Sequence, residues 1–163
     1  MKKIAASLLL AGLMILLTAC PYHSDVPISQ PSVQIIPSLC GIWQTNDGLI
    51  KIKRKNEFEY DVITTDLSNN NAHYHHAYLS KVNEQLFVNV RDLDPDTKKP
   101  MGGFIFYKLL LPESDKIELY PITENVVKKF TSSESLFAYI SENMKNSYFF
   151  ENGHTLRKQK NNH

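Results

Sequence analysis

The sequence predicts a mainly β protein: a small antiparallel up-and-down β-barrel of about eight strands, with one α-helix before the last strand. Short segments of alternating polar and apolar residues follow one another, as where Phe58, Tyr60 and Val62 share one face. Turn signals such as Asp47-Gly48 separate these segments, and Asp-Gly favours a tight hairpin with positive φ values. Successive strands joined by short turns favour antiparallel pairing, and about eight of them can close into a barrel without exposed edges.

The barrel domain is expected to cover residues 39–158, with its first strand opening at Gly41-Ile42-Trp43. Period-two alternation and turn residues then delimit the remaining strands. These are expected at 49–54, 57–64, 73–82, 85–91, 103–111, 116–120 and 154–158.

The period changes once, near the C-terminal end of the domain. Residues 133–146 are predicted to form the helix, because Leu136, Phe137, Ile140 and Met144 fall on one helical face. A serine at 132 or 133 can cap its first turn. Residues 159–163 are expected to form a disordered tail.

The N-terminal residues have the pattern of an export signal. Lys2 and Lys3 precede an apolar run from Ile4 to Leu17, which suits a signal peptide and is short of the roughly 20 residues that span a membrane. The stretch Leu17-Thr18-Ala19-Cys20 then resembles a bacterial lipobox, in which small residues precede an obligatory cysteine. This resemblance implies that residues 1–19 are removed and that Cys20 receives fatty-acyl chains such as palmitate, which anchor the protein in a membrane.

Residues 20–38 are predicted to comprise the lipidated Cys20 and a proline-rich tether. Four prolines between 21 and 37 favour an extended, somewhat stiff segment that does not pack and holds the domain clear of the lipid headgroups. In Gram-negative lipoproteins an Asp after the acylated Cys favours the inner membrane. Here Pro21 follows, which points to the outer membrane of the bacterial envelope, facing the periplasm.

Composition limits the partners that the protein is expected to have. The chain of 163 residues carries 18 basic and 17 acidic side chains, a formal net charge of +1, which does not indicate a nucleic-acid binder. Only two cysteines are present, so an acylated Cys20 leaves Cys40 without a partner in the chain. Cys40 is expected either to be buried as a small apolar residue or to pair between chains, and a monomer is the expected state.

Several segments together are similar to the lipocalin-like β-barrel lipoproteins of bacteria. The resemblance covers residues 40–158 and implies a barrel and a ligand cavity, with no reaction. In true lipocalins a Trp plugs the closed end beneath a late Arg, which implies that Trp43 and Arg157 pack together. The segments that carry the resemblance are Gly41-Ile42-Trp43 and residues 77–82, 85–90, 106–109, 116–122 and 155–157.

The residue patterns contain few candidates for chemistry. His73 and His75 project to the same side of a strand about 7 Å apart and could bind zinc or copper, but a metal site needs further ligands. A polar, solvent-facing strand is the simpler interpretation. Asp92, Asp94 and Asp96 do not fit a calcium-binding EF-hand loop, which requires Gly at its sixth position. Nucleophile elbows, phosphate loops and dinucleotide fingerprints are not found, so no enzyme activity and no cofactor are predicted.

Apolar side chains of the predicted strands could line a cavity, or they could fill the barrel. Two functions follow, both of a non-enzymatic, membrane-anchored envelope lipoprotein. In the first the barrel binds a small apolar ligand; in the second a filled core supports binding to an envelope protein. A metal-binding protein or hydrolase is less favoured. The candidate cavity residues are Tyr60, Tyr78, Val88, Phe104, Phe106 and Leu110.

Overall fold

The computed structural model describes residues 21–123, 125–126 and 128–159. The predicted signal peptide, the acylation site Cys20 and residues 160–163 lie outside this range. Among the described residues, no helix has the length and apolar character needed to span a membrane. The elements are β1 (His23–Ser24), β2 (Gly41–Gln44), β3 (Gly48–Arg54), β4 (Glu59–Asp66), β5 (Ala72–Val82), β6 (Gln85–Leu93), β7 (Pro100–Glu113), β8 (Lys116–Pro121), α1 (Ser133–Asn143) and β9 (His154–Lys158), with 3-10 turns at Pro37–Leu39 and Ser147–Phe149.

Strands β2 to β9 form a closed antiparallel barrel. Each strand from β2 to β8 pairs with the next in the chain, β8 pairs with β9, and β9 returns to β2. The short strand β1 is an extra member that pairs with β7. The predicted fold class, a small up-and-down barrel with one helix before the last strand, is therefore confirmed.

The first hairpin differs from the predicted turn. Neither Asp47 nor Gly48 has a positive φ angle, so the backbone does not adopt the expected tight turn with positive φ values. Glycine is instead required for close packing, because a Cβ at Gly48 would lie 2.3 Å from the carbonyl oxygen of Thr65 on β4. The turn is held by Thr45, whose amide donates to the Gly48 carbonyl at 2.9 Å.

The helix α1 begins as predicted and ends earlier than expected. The Ser132 hydroxyl accepts a hydrogen bond from the Ser135 amide, which satisfies one free donor of the first turn. The last helical residue is Asn143, with Met144 as the C-cap. Leu136 and Ile140 are buried, so the helix covers the barrel with the apolar face that the sequence indicated.

Two apolar cores lie on opposite sides of the barrel wall. The inner core lies inside the barrel and consists of Leu39, Trp43, Tyr60, Ala77, Leu79, Leu109, Ile117 and Leu156. The outer core lies between the wall and the segments that cover it, and consists of Tyr22, Ile28, Val82, Phe87, Phe106, Ile122, Val126, Phe130, Leu136, Ile140 and Phe149.

The proline-rich segment packs on the barrel, contrary to the expectation of a tether that stands clear of it. Ile28 is only 1% exposed within the outer core. Its amide donates to the Asn89 side chain at 3.0 Å, and further along the Ile35 amide donates to the Glu57 carbonyl at 3.0 Å. Prolines exclude helix and central strand, but they do not prevent the apolar residues between them from being buried.

Two smaller expectations concern Cys40 and the C-terminal end. Among the residues that the structure describes, Cys40 has no disulfide partner, and it is half-buried against the inner core. At the other end of the chain Gln159 is exposed, although its amide donates to the Ile42 carbonyl at 2.9 Å. The remainder of the predicted disordered tail lies outside the described residues.

Candidate functional site

The barrel encloses a cavity of about 400 Å³. Side chains of the inner core and their neighbours form its wall, which is mainly apolar. The alternative of a filled core requires side chains to fill the interior. The cavity shows that they do not fill it. The apolar lining consists of Leu39, Ile50, Ile52, Tyr60, Val62, Ala77, Leu79, Val88, Val90, Leu109, Ile117, Leu119 and Leu156.

One end of the cavity, here called the closed end, is lined by Leu39 and Tyr60, and Trp43 packs with them in the inner core. Trp43 is 1% exposed, and its indole nitrogen donates to the Leu39 carbonyl at 2.8 Å. The chain before β2 crosses this end, where the Ile36 amide donates to the Tyr60 hydroxyl at 2.7 Å. Burial raises the pKa of Tyr60, so its phenol stays neutral in the physiological range.

Lys158, rather than the predicted Arg157, lies against Trp43. Its Nζ atom lies 5.2 Å from the centroid of the indole ring and donates to the Ser38 carbonyl at 2.7 Å. Arg157 is exposed, because neighbouring residues of a strand point to opposite faces. Glycine suits position 41, where φ is +142° and a Cβ would lie 3.0 Å from Lys158 Cε.

The opposite end of the cavity, here called the mouth, is polar. The β2–β3 hairpin, the end of β4 and the start of β9 contribute its side chains. Among the residues that the structure describes, no lysine or arginine lines the cavity. The mouth residues are Thr45, Asn46, Asp47, Thr64, Gly153, His154 and Thr155.

A chain of three hydrogen-bonded side chains runs from the mouth across strands β4, β5 and β6. The Thr64 hydroxyl, which lines the cavity, lies 3.0 Å from Nε2 of His75. On the other side of the ring, Nδ1 of His75 lies 2.8 Å from Oδ1 of Asp92. The register places His75 opposite Val62 on β4 and opposite Asp92 on β6. Thr64 is two residues from Val62 on the same strand, so Thr64, His75 and Asp92 share the inward face.

Tyr107 adds a phenol group to the cavity wall. Burial raises the pKa of its phenol, and the nearby carboxylates of Asp92 and Glu151 raise it further. The phenol therefore stays protonated in the physiological range.

Two of the six predicted cavity residues, Tyr60 and Val88, line the cavity. Tyr78, Phe104, Phe106 and Leu110 do not. Phe106 lies in the outer core with Phe104 packed against it. On β7 it is the odd-numbered residues, Tyr107 and Leu109, that point into the barrel, and the apolar character of both faces concealed this from the sequence.

A buried polar network lies outside the barrel and was not predicted from the sequence. Asn89 accepts from the Ile28 amide and donates to Ser80 Oγ at 2.8 Å. Ser80 in turn lies 2.7 Å from Ser29 Oγ, and the Tyr78 hydroxyl donates to the Ser29 carbonyl at 3.0 Å. The one available signal was Asn89 itself, an amide at an interior position of an otherwise apolar strand.

The two histidines considered for metal binding, His73 and His75, differ in their exposure and in their hydrogen bonds. His73 is exposed, whereas His75 is engaged by Thr64 and Asp92. His76 points outward, with Nε2 2.9 Å from Glu59 Oε1. Over the part of the chain that the structure describes, no group of three or more His, Cys, Asp or Glu side chains is placed to hold a metal ion.

Comparison of the chain with protein-family models, with curated proteins and with solved structures gives no significant match. The cavity and the side chains around it are therefore the basis on which function can be inferred.

Proposed function

We propose that this chain is a membrane-anchored lipoprotein of the bacterial envelope whose barrel binds a small apolar ligand without changing it chemically. The observation that carries this proposal is the cavity of about 400 Å³, lined at one end by Leu39 and Tyr60 and polar at the other. Small-molecule sites usually have volumes of about 300–1,000 Å³ and combine apolar walls with a few polar groups.

The apolar wall would supply most of the binding free energy. Burial of apolar surface contributes about 25 cal/mol per Å², so a ligand that buries about 200 Å² gains about 5 kcal/mol. This gain must exceed the entropy lost on association, which limits useful affinity to ligands that fill most of the cavity. A compact apolar molecule, or one chain of an amphiphile, meets this requirement.

The proposed anchor is at the mouth end of the barrel. Pro21 forms a bridge with Thr123, which follows the mouth end of β8, and the Tyr22 amide donates to the Ile122 carbonyl at 2.9 Å. Because adjacent Cα atoms are about 3.8 Å apart, an acylated Cys20 would be attached close to this end. The mouth would then face the outer-membrane lipid, from which an apolar ligand can enter without crossing water.

Ligand binding is tested with a variant that fills the cavity. Val90→Phe places a ring inside the barrel, whereas Ile63→Phe adds the same ring on the outer face of β4. We expect native mass spectrometry to detect a co-purified apolar molecule on the unmodified protein and on Ile63→Phe, but not on Val90→Phe. A bare protein that also fails to take up added decane would refute the proposal.

The anchor is tested by metabolic labelling with a fatty-acid analogue. Cys20→Ala should abolish the label and release the protein from the membrane fraction. Cys40→Ala is the matched control, since this half-buried residue packs on the inner core and should leave labelling unchanged. Label that persists in Cys20→Ala would refute acylation at this position.

A further inference from the structure

The polar groups at the mouth favour one class of ligand head group over another. Asp47 and Thr64 line the mouth, and within the described part of the chain neither lysine nor arginine lines the cavity. A carboxylate brought into this environment would lose its hydration without gaining a lysine or arginine partner, which is costly. A head group that donates hydrogen bonds would instead meet oxygen atoms that can accept them.

The hydrogen bonds of His75 determine which way the Thr64 hydroxyl points. An ionised carboxylate only accepts hydrogen bonds, so Asp92 fixes the ring proton on Nδ1 of the neutral imidazole. Nε2 then has a lone pair, and the Thr64 hydroxyl donates its proton to it across 3.0 Å. With that proton committed to His75, Thr64 Oγ1 presents its lone pairs to the cavity as an acceptor.

The negatively charged side chains near the mouth also disfavour an anionic head group. Asp92 and Glu151 are close enough to Tyr107 for their negative charge to help raise the pKa of its phenol. The same carboxylates would repel a second anion placed beside Tyr107 and attract a cation. Hydrogen bonding and electrostatics therefore both select against an anionic head group.

We propose that the ligand carries a hydrogen-bond donor, a hydroxyl or an ammonium group, which binds Thr64 Oγ1 at the mouth while its apolar body fills the barrel. Asp92 is the positioning residue that makes Thr64 an acceptor through His75. Apolar carboxylates such as fatty acids are excluded by the same arrangement. The inference rests on the proposed ligand-binding function, and its test separates the two.

The test compares molecules that differ only in their head groups. The full chain is reconstituted in phosphatidylcholine vesicles and titrated with decane, decanol, decylamine and decanoic acid. Trp43 is the only tryptophan and lies at the closed end, so its fluorescence reports occupancy. The Val90→Phe variant in the same vesicles supplies the baseline for molecules that only enter the lipid.

We expect decanol and decylamine to bind about tenfold more tightly than decanoate at neutral pH. Thr64→Val should weaken both about two- to tenfold, the usual net value of one hydrogen bond, and should leave decane unchanged. Thr64→Ser keeps the hydroxyl and should bind as the unmodified protein does. Decanoate that binds as tightly as decanol, or a Thr64→Val variant without effect, would overturn the head-group proposal while leaving the cavity function intact.

Asp92→Asn distinguishes positioning from simple contact. An amide can donate to Nδ1 as well as accept from it, so Asp92→Asn no longer fixes the ring proton on Nδ1, and the Thr64 hydroxyl can turn towards the cavity as a donor. Decylamine should then bind several-fold more weakly and decanoate several-fold more tightly, while decanol, which can donate or accept, changes least. An unchanged selectivity would overturn the role of Asp92. Failure of all four molecules to bind the unmodified protein would overturn both proposals.

Discussion

At the scale of single residues, the buried side chain of Asn89 holds the N-terminal segment against the outside of the barrel. It is 1% exposed and joins the N-terminal segment to β5, because it accepts from the Ile28 amide and donates to Ser80. A buried amide of this kind stabilises little when its bonds are satisfied, but its removal leaves the partners unsatisfied.

We therefore expect Asn89→Ala to lower the free energy of unfolding by about 2–4 kcal/mol, since two buried partners lose their hydrogen bonds. Urea denaturation followed by circular dichroism measures this change. Asn152→Ala, at an exposed position in the turn before β9, should change the midpoint very little. Equal midpoints for the two variants would show that water replaces the lost bonds.

A second residue-scale prediction concerns His76 and pH. Burial, and then the charge of Lys55, lower the pKa of His76, which outweighs the opposing effect of Glu59. The unfolded chain therefore binds a proton near this position more readily than the folded protein does. As pH falls through about 6.5, the ordinary pKa of histidine, the free energy of unfolding should decrease until the lowered pKa is reached.

His76→Gln should flatten this decrease between about pH 6.5 and the lowered pKa, because glutamine does not titrate. Urea midpoints measured from pH 8 to pH 5 provide the comparison. His73→Gln is the control, since His73 is exposed at the start of β5. A pH profile of His76→Gln that parallels the unmodified protein would contradict the assignment.

At the scale of secondary-structure elements, the N-terminal segment is a part of the domain. It contributes Tyr22 and Ile28 to the outer core and continues to the 3-10 turn that places Leu39 at the closed end. Ile28→Ala should therefore lower the free energy of unfolding by about 2–5 kcal/mol, as expected for a large-to-small change at a buried site.

Thermal unfolding of Ile28→Ala can be compared with that of Ile63→Ala, which removes the same atoms from a strand position outside both cores. The first variant should have the lower midpoint. If the two midpoints coincide, the segment contributes no more than the unpacked, somewhat stiff tether predicted from the sequence.

Alternation of polar and apolar residues predicts strands well, particularly where one face is exposed, as in β3 and β4. It placed β3 to β6 within a few residues, and Val88 faces inward as predicted. Strand β7 has apolar side chains on both faces, because one face lines the cavity and the other packs in the outer core. Its sequence therefore does not indicate which face points into the barrel. Phe106 and Phe104 were therefore placed inside when they lie outside.

The contacts that define the site are set by register between strands, which sequence alone does not specify. Thr64, His75 and Asp92 are separated by 11 and 17 residues and meet only because β4, β5 and β6 pair in one register. A shift by one residue would send each side chain to the other face. The proline-rich segment was misjudged for a related reason, since its burial depends on a barrel face that is distant in sequence.

At the scale of the whole molecule, two cores of different packing share one barrel wall. The outer core is continuous and lies beneath α1 and the N-terminal segment, while the inner core surrounds the cavity. The closed sheet can hold this empty volume because its hydrogen bonds form a ring and do not depend on side chains inside the barrel. Stability and ligand binding can therefore depend on different sets of residues.

A matched pair of leucines tests this division. Leu136 in α1 and Leu79 in β5 are each 1% exposed, but Leu136 is surrounded by the outer core, whereas Leu79 borders the cavity. Leu→Ala changes in packed cores cost about 2.7–5 kcal/mol and depend on the void that they create. Leu79 already lacks neighbours on its cavity side, so it has fewer contacts to lose.

We expect Leu136→Ala to lower the free energy of unfolding by about 3–5 kcal/mol and Leu79→Ala by about 2–3 kcal/mol, both measured by urea denaturation. Leu79→Ala should also enlarge the cavity, so that dodecylamine gains affinity relative to decylamine, whereas Leu136→Ala should leave this ratio unchanged. If Leu79→Ala costs as much as Leu136→Ala and leaves the ratio unchanged, the inner core is packed as tightly as the outer one. The barrel would then have no room for a ligand.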